Sequence, residues 1–253
     1  QIYMPCNQTK RLSYVTSSGV AFNKTKTATI LSGLLEVVER DSIILNHYFI
    51  DTFQAVEPTS LNSSLVEIAT QKGLYPTFLR LHSETSIPVI MCFLDGPTTI
   101  NGVLFGIGCS AGLSEQEACD KALREALFTY NYADYLMHLR VNKVSNIKSL
   151  YERFLYYQES SNYQLLRMRY KISSIRKVNT RKIERSVIRQ LCKATYSHIY
   201  VADITPPYLR KRGYIITRLI IPEAYDLHTR GIYFNPETVR TKQFILSCRK
   251  KGI

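Results

Sequence analysis

The sequence predicts an α+β fold in which antiparallel or mixed sheets pack on long helices. Two long stretches, 25–49 and 114–139, place apolar residues at helical spacing, and short β-rich segments lie between and after them. The chain has 253 residues, 45% of them hydrophobic, which is enough to bury one large core or two small ones. Because no repeat, low-complexity tract or change of composition marks a boundary, we expect one domain over 1–253.

The first half of the chain is predicted to hold two helices and three strands. An extended segment near 12–22 leads into a helix from Thr25 to Phe49. A second helix, Ser60–Lys72, ends at Gly73, a residue typical of helix C-termini. The three strands are Thr77–Leu81, Val89–Leu94 and Val103–Ile107, with Asp95-Gly96-Pro97 as the turn between the last two.

The second half opens on another long helix. Ser114-Glu115-Gln116-Glu117 has the spacing of a capping box, and this predicted helix ends near Leu139. Residues 140–195 alternate polar helical stretches with loops. Strands are predicted to return at Ile199–Ile204, Ile215–Ile221 and Gly231–Asn235.

A glycine-rich segment, Gly106-Ile107-Gly108-Cys109-Ser110-Ala111-Gly112, lies between a predicted strand and a predicted helix, where phosphate-binding loops occur. Its spacing differs from G-x-G-x-x-G by one residue, and no Lys-Ser/Thr follows. We therefore favour glycines that permit a tight strand-to-helix turn.

The net charge of +13 is concentrated in two regions, 167–189 and the tail. Such a surface fits nucleic acid, but a nucleotide-binding or acidic-peptide-binding enzyme also uses positive potential, and we regard nucleic acid as the weaker reading. The six cysteines form no C-x-x-C pair, so buried, reduced thiols are expected. No apolar run approaches the roughly 18 residues of a membrane span, and no signal peptide is visible, so we expect a cytoplasmic protein.

The first long helix carries an unusual set of charges. At 100° per residue, Glu36, Glu39 and Arg40 lie opposite a broad apolar arc. Glutamates three residues apart repel unless a cation lies between them, so the pattern fits a magnesium site that holds nucleotide phosphates. A solvated amphipathic face, in which Arg40 reduces the repulsion, is the alternative.

Three segments together resemble the YcaO family in the family's order. The first is Tyr14–Thr25, with Ser17, Ser18 and a Thr cap, followed by the Glu-x-x-Glu-Arg helix. The second is Ala118–Leu127, similar to the family's second conserved helix. The third comprises Tyr200–Thr205 and Tyr214–Glu223.

The resemblance implies an enzyme that uses ATP and Mg²⁺ to activate a backbone amide oxygen in a ribosomally made peptide, giving an azoline or a thioamide. It implies nucleotide contacts from Ser17, Ser18, Arg40 and Arg218, and metal binding by Glu36, Glu39 and Glu125. It identifies no catalytic residue. The partners that it implies are a precursor peptide and an E1-like or TfuA-like protein, and a homodimer is a further assembly to consider.

Two positions depart from the family pattern. Ala28 stands where the family often has an acidic residue, and Phe128 stands where the second helix normally has glutamine. The family domain also carries a further nucleotide-binding segment upstream, so we expect the chain to be the C-terminal two-thirds of an incomplete domain. A YcaO-like scaffold or partner subunit that has lost catalysis is therefore the alternative function.

Overall fold

The computed structural model describes residues 17–99, 102–138, 150–225 and 239–250. Within these ranges the chain forms two sheets and eight α-helices, which confirms the predicted mixed α and β architecture. The strand predicted at Gly231–Asn235 lies outside the described residues.

Helix α1, Lys26–Phe49, is the central element and confirms the predicted helix closely. Thr25 caps it, because the Thr25 hydroxyl accepts a hydrogen bond from the Ala28 N–H at 3.2 Å. Its apolar arc is buried, as Leu34, Val38 and Leu45 show. The arc packs against a large sheet on one side and a small sheet on the other.

The large sheet has five strands in the order β5-β4-β3-β2-β6. All neighbours are antiparallel except β2 and β6, which run parallel. The strands are β2 Thr52–Val56, β3 Tyr75–Leu81, β4 Val89–Thr99, β5 Gly102–Ala111 and β6 Lys171–Arg176. One face of this sheet packs on α1, with Phe53, Leu79 and Met91 in the shared core.

The small sheet has three antiparallel strands in the order β1-β8-β7. They are β1 Val20–Asn23, β7 Tyr200–Asp203 and β8 Ile215–Ile220. This sheet confirms the strands predicted at Ile199–Ile204 and Ile215–Ile221.

The remaining helices surround the sheets. They are α2 Ser64–Gln71, α3 Glu115–His138, α4 Leu150–Gln158, α5 Ser160–Arg169, α6 Arg185–Thr195, α7 Pro207–Arg210 and α8 Val239–Lys250. Helices α2 and α3 cover the second face of the large sheet and form a separate core with Phe78, Ile90 and Leu94. No helix among the described residues is long and apolar enough to cross a membrane.

The turn predicted at Asp95-Gly96-Pro97 is wrong. Strand β4 continues through these residues to Thr99, and the pairing with β5 shifts register between Asp95 and Thr98. Such a shift absorbs residues that cannot pair regularly, here including a proline without an N–H. The last pair between β4 and β5 is therefore Thr99 and Gly102.

The predicted role of the glycine-rich segment is also wrong for its first two glycines. Gly106 and Gly108 lie inside β5, where the strand comes very close to α3. A Cβ atom at Gly108 would lie 2.2 Å from the Ala122 carbonyl oxygen, and one at Gly106 would lie 2.0 Å from that of Ala126. The glycines thus permit helix–strand contact.

Part of the basic region stabilises the fold. Arg176 donates to both carboxylate oxygens of the buried Glu115, at 3.0 and 2.5 Å, which holds β6 against the start of α3. Arg169 forms an ion pair with Asp51 at 2.5 Å. All five cysteines among the described residues are buried, and Cys92, Cys109, Cys119 and Cys192 are free thiols, as expected.

Candidate functional site

Helix α1 and the segment before β1 form one polar cluster. The Gly19 N–H donates to Glu36 Oε2 at 3.1 Å, and Arg40 pairs with Glu36 Oε1 at 2.7 Å. Arg40 also donates to the hydroxyl of Ser18 at 2.8 Å and to that of Ser17 at 3.4 Å. The structure therefore brings Ser17, Ser18, Glu36 and Arg40 together.

Gly19 makes this arrangement possible. Its φ of +73° is a conformation that residues with a Cβ rarely adopt, and a Cβ here would lie 2.5 Å from the Leu219 carbonyl oxygen. The Leu219 N–H in turn donates to the Gly19 carbonyl at 2.9 Å. The backbone of β8 thus fixes the turn that presents the Gly19 N–H to Glu36.

Helix α3 brings a further carboxylate toward α1. Glu125 Oε2 accepts a hydrogen bond from the Cys109 N–H of β5 at 2.9 Å. The close approach at Gly108 sets this contact, since a Cβ on Gly108 would lie 2.8 Å from the Glu125 Cβ. Strand β5 thereby positions Glu125 within electrostatic reach of Glu39.

The cluster holds more negative charge than its single arginine can balance. Burial, followed by the charge of Glu125 and, least of all, that of Glu36, raises the pKa of Glu39 to about 8. A backbone hydrogen bond at Ala111 and the Arg40 charge act in the opposite direction. Desolvation also raises the pKa of Glu125, although the Cys109 N–H and Arg40 oppose this shift.

These residues suit a magnesium ion that carries nucleotide phosphates. Among the described residues, no three acidic, histidine or cysteine side chains lie close enough together to hold a metal alone. Magnesium bound with phosphates usually takes only one or two carboxylates, so a complete protein cage is not required. Glu36 and Glu39 could offer one or two carboxylate ligands to such a cation, and the Arg40 guanidinium with the hydroxyls of Ser17 and Ser18 could donate to the phosphates.

In the metal-free protein, ionisation of Glu39 should lower the free energy of unfolding as pH rises from about 4.5 to about 8. Folded Glu39 keeps its proton up to about pH 8, whereas an unfolded glutamate ionises near 4.5. Between these values the folded state binds more protons, so the free energy of unfolding decreases with pH. We expect the Tm of Glu39→Gln, taken relative to the Tm of wild type, to increase from about pH 5 to pH 8. Thermal unfolding of both proteins with a chelator checks this, and a difference independent of pH would contradict it.

The side chain of Arg218 leaves β8 on the face directed away from α1. It is buried on β8, but neighbouring Leu219 faces α1, since a Cβ on Gly33 would lie 2.6 Å from Leu219 Cδ1. Because side chains alternate along a strand, Arg218 lies on the opposite face of the small sheet. The predicted phosphate contact from Arg218 remains a prediction, and this placement gives it no support.

The two departures from the family pattern have clear positions. Ala28 lies in the first turn of α1, where its N–H donates to the Thr25 cap. Phe128 is three residues after Glu125 on α3, and 72% of its side chain is exposed. An exposed ring there neither supports the fold nor ligates a metal.

Sequence reasoning missed the backbone donors of the site. The N–H groups of Gly19, Cys109 and Ala111 contact Glu36, Glu125 and Glu39, and any residue except proline carries such a group. Of these three residues, only Gly19 can be noticed in the sequence, because it is a glycine directly after Ser17 and Ser18.

Comparison with solved structures shows the fold. A heterocyclase in complex with substrate and cofactor matches at TM-score 0.65 and 20% identity, over 88% of this chain and 30% of that one. The heterocyclase TruD matches at TM-score 0.66 and 18% identity, over 90% and 32%. YcaO from Methanopyrus kandleri, bound with AMPPCP and Mg²⁺, matches at TM-score 0.60 and 15% identity, over 90% and 62%.

The chain spans about a third of the length of the two heterocyclases and about three fifths of the archaeal protein. No curated protein sequence matches it significantly. A family model described as YcaO cyclodehydratase, ATP- and Mg²⁺-binding, matches residues 2–225. Since this match covers most of the sequence, the chain belongs to the YcaO family.

Proposed function

We propose that the chain provides part of the nucleotide site of an ATP- and Mg²⁺-dependent enzyme that modifies backbone amides in a peptide. One observation carries the proposal: Glu36 and Arg40 of α1 converge with Ser17 and Ser18, beside Glu39 and Glu125. Residues remote in sequence thus form one set of metal ligands and phosphate donors.

Each side chain has a distinct role in the proposal. Arg40, with a planar guanidinium already directed at two hydroxyls, would bind phosphate oxygens together with Ser17 and Ser18. Glu36 and Glu39 would hold Mg²⁺, and Glu125 would complete the negative side of the site. ATP supplies the phosphoryl group that turns a poor amide-oxygen leaving group into a good one.

One further solved relative supports a peptide substrate and a multi-subunit assembly by analogy. An E. coli microcin synthetase McbBCD complex with pro-MccB17 bound matches at TM-score 0.65 and 13% identity. We propose that this chain likewise acts on a ribosomally made precursor peptide, with an E1-like or TfuA-like partner. Azoline and thioamide products both fit the site.

The second candidate function is a scaffold or partner subunit that has lost catalysis, and Phe128 favours it. A glutamine there would offer an oxygen ligand one helical turn from Glu125, which phenylalanine lacks. We expect Phe128→Gln to strengthen Mg²⁺-dependent ATP binding, with little effect on stability because the ring is largely exposed. Calorimetric titration of ATP into the wild-type and variant proteins, with and without Mg²⁺, measures the effect.

Phe128→Leu is the matched control, since it shortens the apolar side chain without adding a ligand, and it should bind as wild type does. An unchanged or weaker affinity in Phe128→Gln would mean that this position does not limit the site. Wild-type protein that binds no ATP under any of these conditions would favour the scaffold.

A further inference from the structure

The small sheet has a strongly basic end. Register places Asn23 of β1 opposite Ile215 of β8, so the residues that follow β1 lie beside the turn that precedes β8. Five exposed cations occupy this place, and we call them, with the rings of Phe22 and Tyr214, the basic end: Lys24, Lys26, Arg210, Lys211 and Arg212.

The fold leaves most of this charge unbalanced. Arg210 pairs with Asp203 at 2.9 Å. For the other four cations, the described part of the chain supplies no ion pair. A group of five cations with one acidic partner keeps an excess of positive charge, which attracts an anionic partner.

Two aromatic rings lie among these charges. Phe22 and Tyr214 stack with their ring centroids 4.9 Å apart, although 53% of the Phe22 side chain is exposed. An exposed aromatic stack offers contact area for apolar side chains or backbone at low entropic cost. The surface therefore suits a partner that has both acidic and apolar groups.

The sign of the charge reverses along β1. The strand leads from Gly19, which contacts Glu36, to Asn23 at the basic end. Lys24 is five residues after Gly19, and an extended chain covers roughly 16 Å in five steps of 3.3 Å. A nucleic acid lying along this path would bring its phosphates toward the Glu36 carboxylate, whereas a peptide can confine its acidic residues to one stretch.

We propose that the basic end docks an acidic stretch of the peptide substrate, so that an amide about five residues away reaches the carboxylate cluster. The peptide is a substrate only if the proposed function holds, but the docking itself requires no nucleotide. The two ideas can therefore fail separately.

Fluorescence anisotropy tests the docking, without nucleotide. The probe is a fluorescein-labelled peptide with four consecutive glutamates followed by neutral residues, and the comparison peptide has glutamines instead. We expect the double variant Lys211→Glu, Arg212→Glu to weaken binding of the acidic probe roughly tenfold or more, and added salt to weaken wild-type binding. A second double variant, Lys24→Glu, Lys26→Glu, should do the same, and it keeps the fold because acidic residues are favourable at a helix N-terminus.

The control variant is Lys72→Glu, Lys177→Glu, which makes the same charge change at exposed positions beside the large sheet. It should bind the probe within about twofold of wild type. Equal losses in the control and the basic-end variants would overturn the proposal, as would equal affinity for the two peptides. Tighter binding of a thymidine oligonucleotide than of the acidic peptide would also overturn it, in favour of nucleic acid.

Discussion

Gly108→Ala is expected to lower the Tm of the protein by about 6 to 12 °C, corresponding to about 3 kcal/mol. The added methyl group would lie 2.2 Å from the Ala122 carbonyl oxygen and 2.5 Å from the Ala126 nitrogen, and both are backbone atoms of α3. Backbone in a packed helix cannot rotate away as a side chain can, so α3 or β5 must move. Thermal unfolding monitored by circular dichroism measures the loss.

Gly73→Ala provides the comparison. Gly73 has a positive φ of 72° but no atom within 4 Å of an added Cβ, so only backbone strain opposes alanine there. That strain costs about 1 to 2 kcal/mol. If Gly108→Ala costs no more than Gly73→Ala, the contact between β5 and α3 is looser than the structure indicates.

The same contact couples stability to the site. Gly108 is next to Cys109, whose N–H donates to Glu125, so a shift of α3 moves a proposed metal ligand. Gly108→Ala protein that remains folded at low temperature should therefore also bind Mg²⁺ and ATP more weakly.

Local chemistry determined which elements the sequence could predict. Helix α1 was predicted almost to the residue because an N-cap and a wide apolar arc specify it independently. Strand β6 was missed because its side chains are mostly exposed and show no alternation. The end of β4 was misread because Asp95-Gly96-Pro97, a typical turn sequence, here occupies an irregular part of a long hairpin.

The candidate site likewise has features that the sequence could predict and features that it could not. The shared face of Glu36, Glu39 and Arg40 follows from helical periodicity alone. The family resemblance is what links Arg40 with Ser17 and Ser18, which it contacts in the structure. The raised pKa of Glu39 could not be predicted, because it depends on burial and on Glu125 from a helix more than eighty residues away. The alternation along β8, which directs Arg218 away from α1, becomes visible only once Leu219 is seen against α1.

Glu39→Gln should weaken binding of Mg²⁺ and ATP by about a hundredfold or more, since loss of groups that merely support a ligand already costs ten- to a hundredfold. The amide keeps the size of the side chain but loses the charge that a metal requires. Its fold should be retained, because the partly buried carboxyl, with its pKa raised to about 8, is neutral below that pH in the metal-free protein. ATP hydrolysis with an authentic peptide and partner should be abolished as well.

Isothermal titration of ATP with Mg²⁺ into the wild-type, Glu39→Gln and Glu67→Gln proteins tests the central claim most directly. Glu67 is an exposed glutamate on α2, so its variant controls for the loss of one negative charge. We predict Mg²⁺-dependent binding to wild type and Glu67→Gln, and near-complete loss in Glu39→Gln. Equal binding by all three proteins, or binding to none of them, would contradict a nucleotide site at the carboxylates of α1.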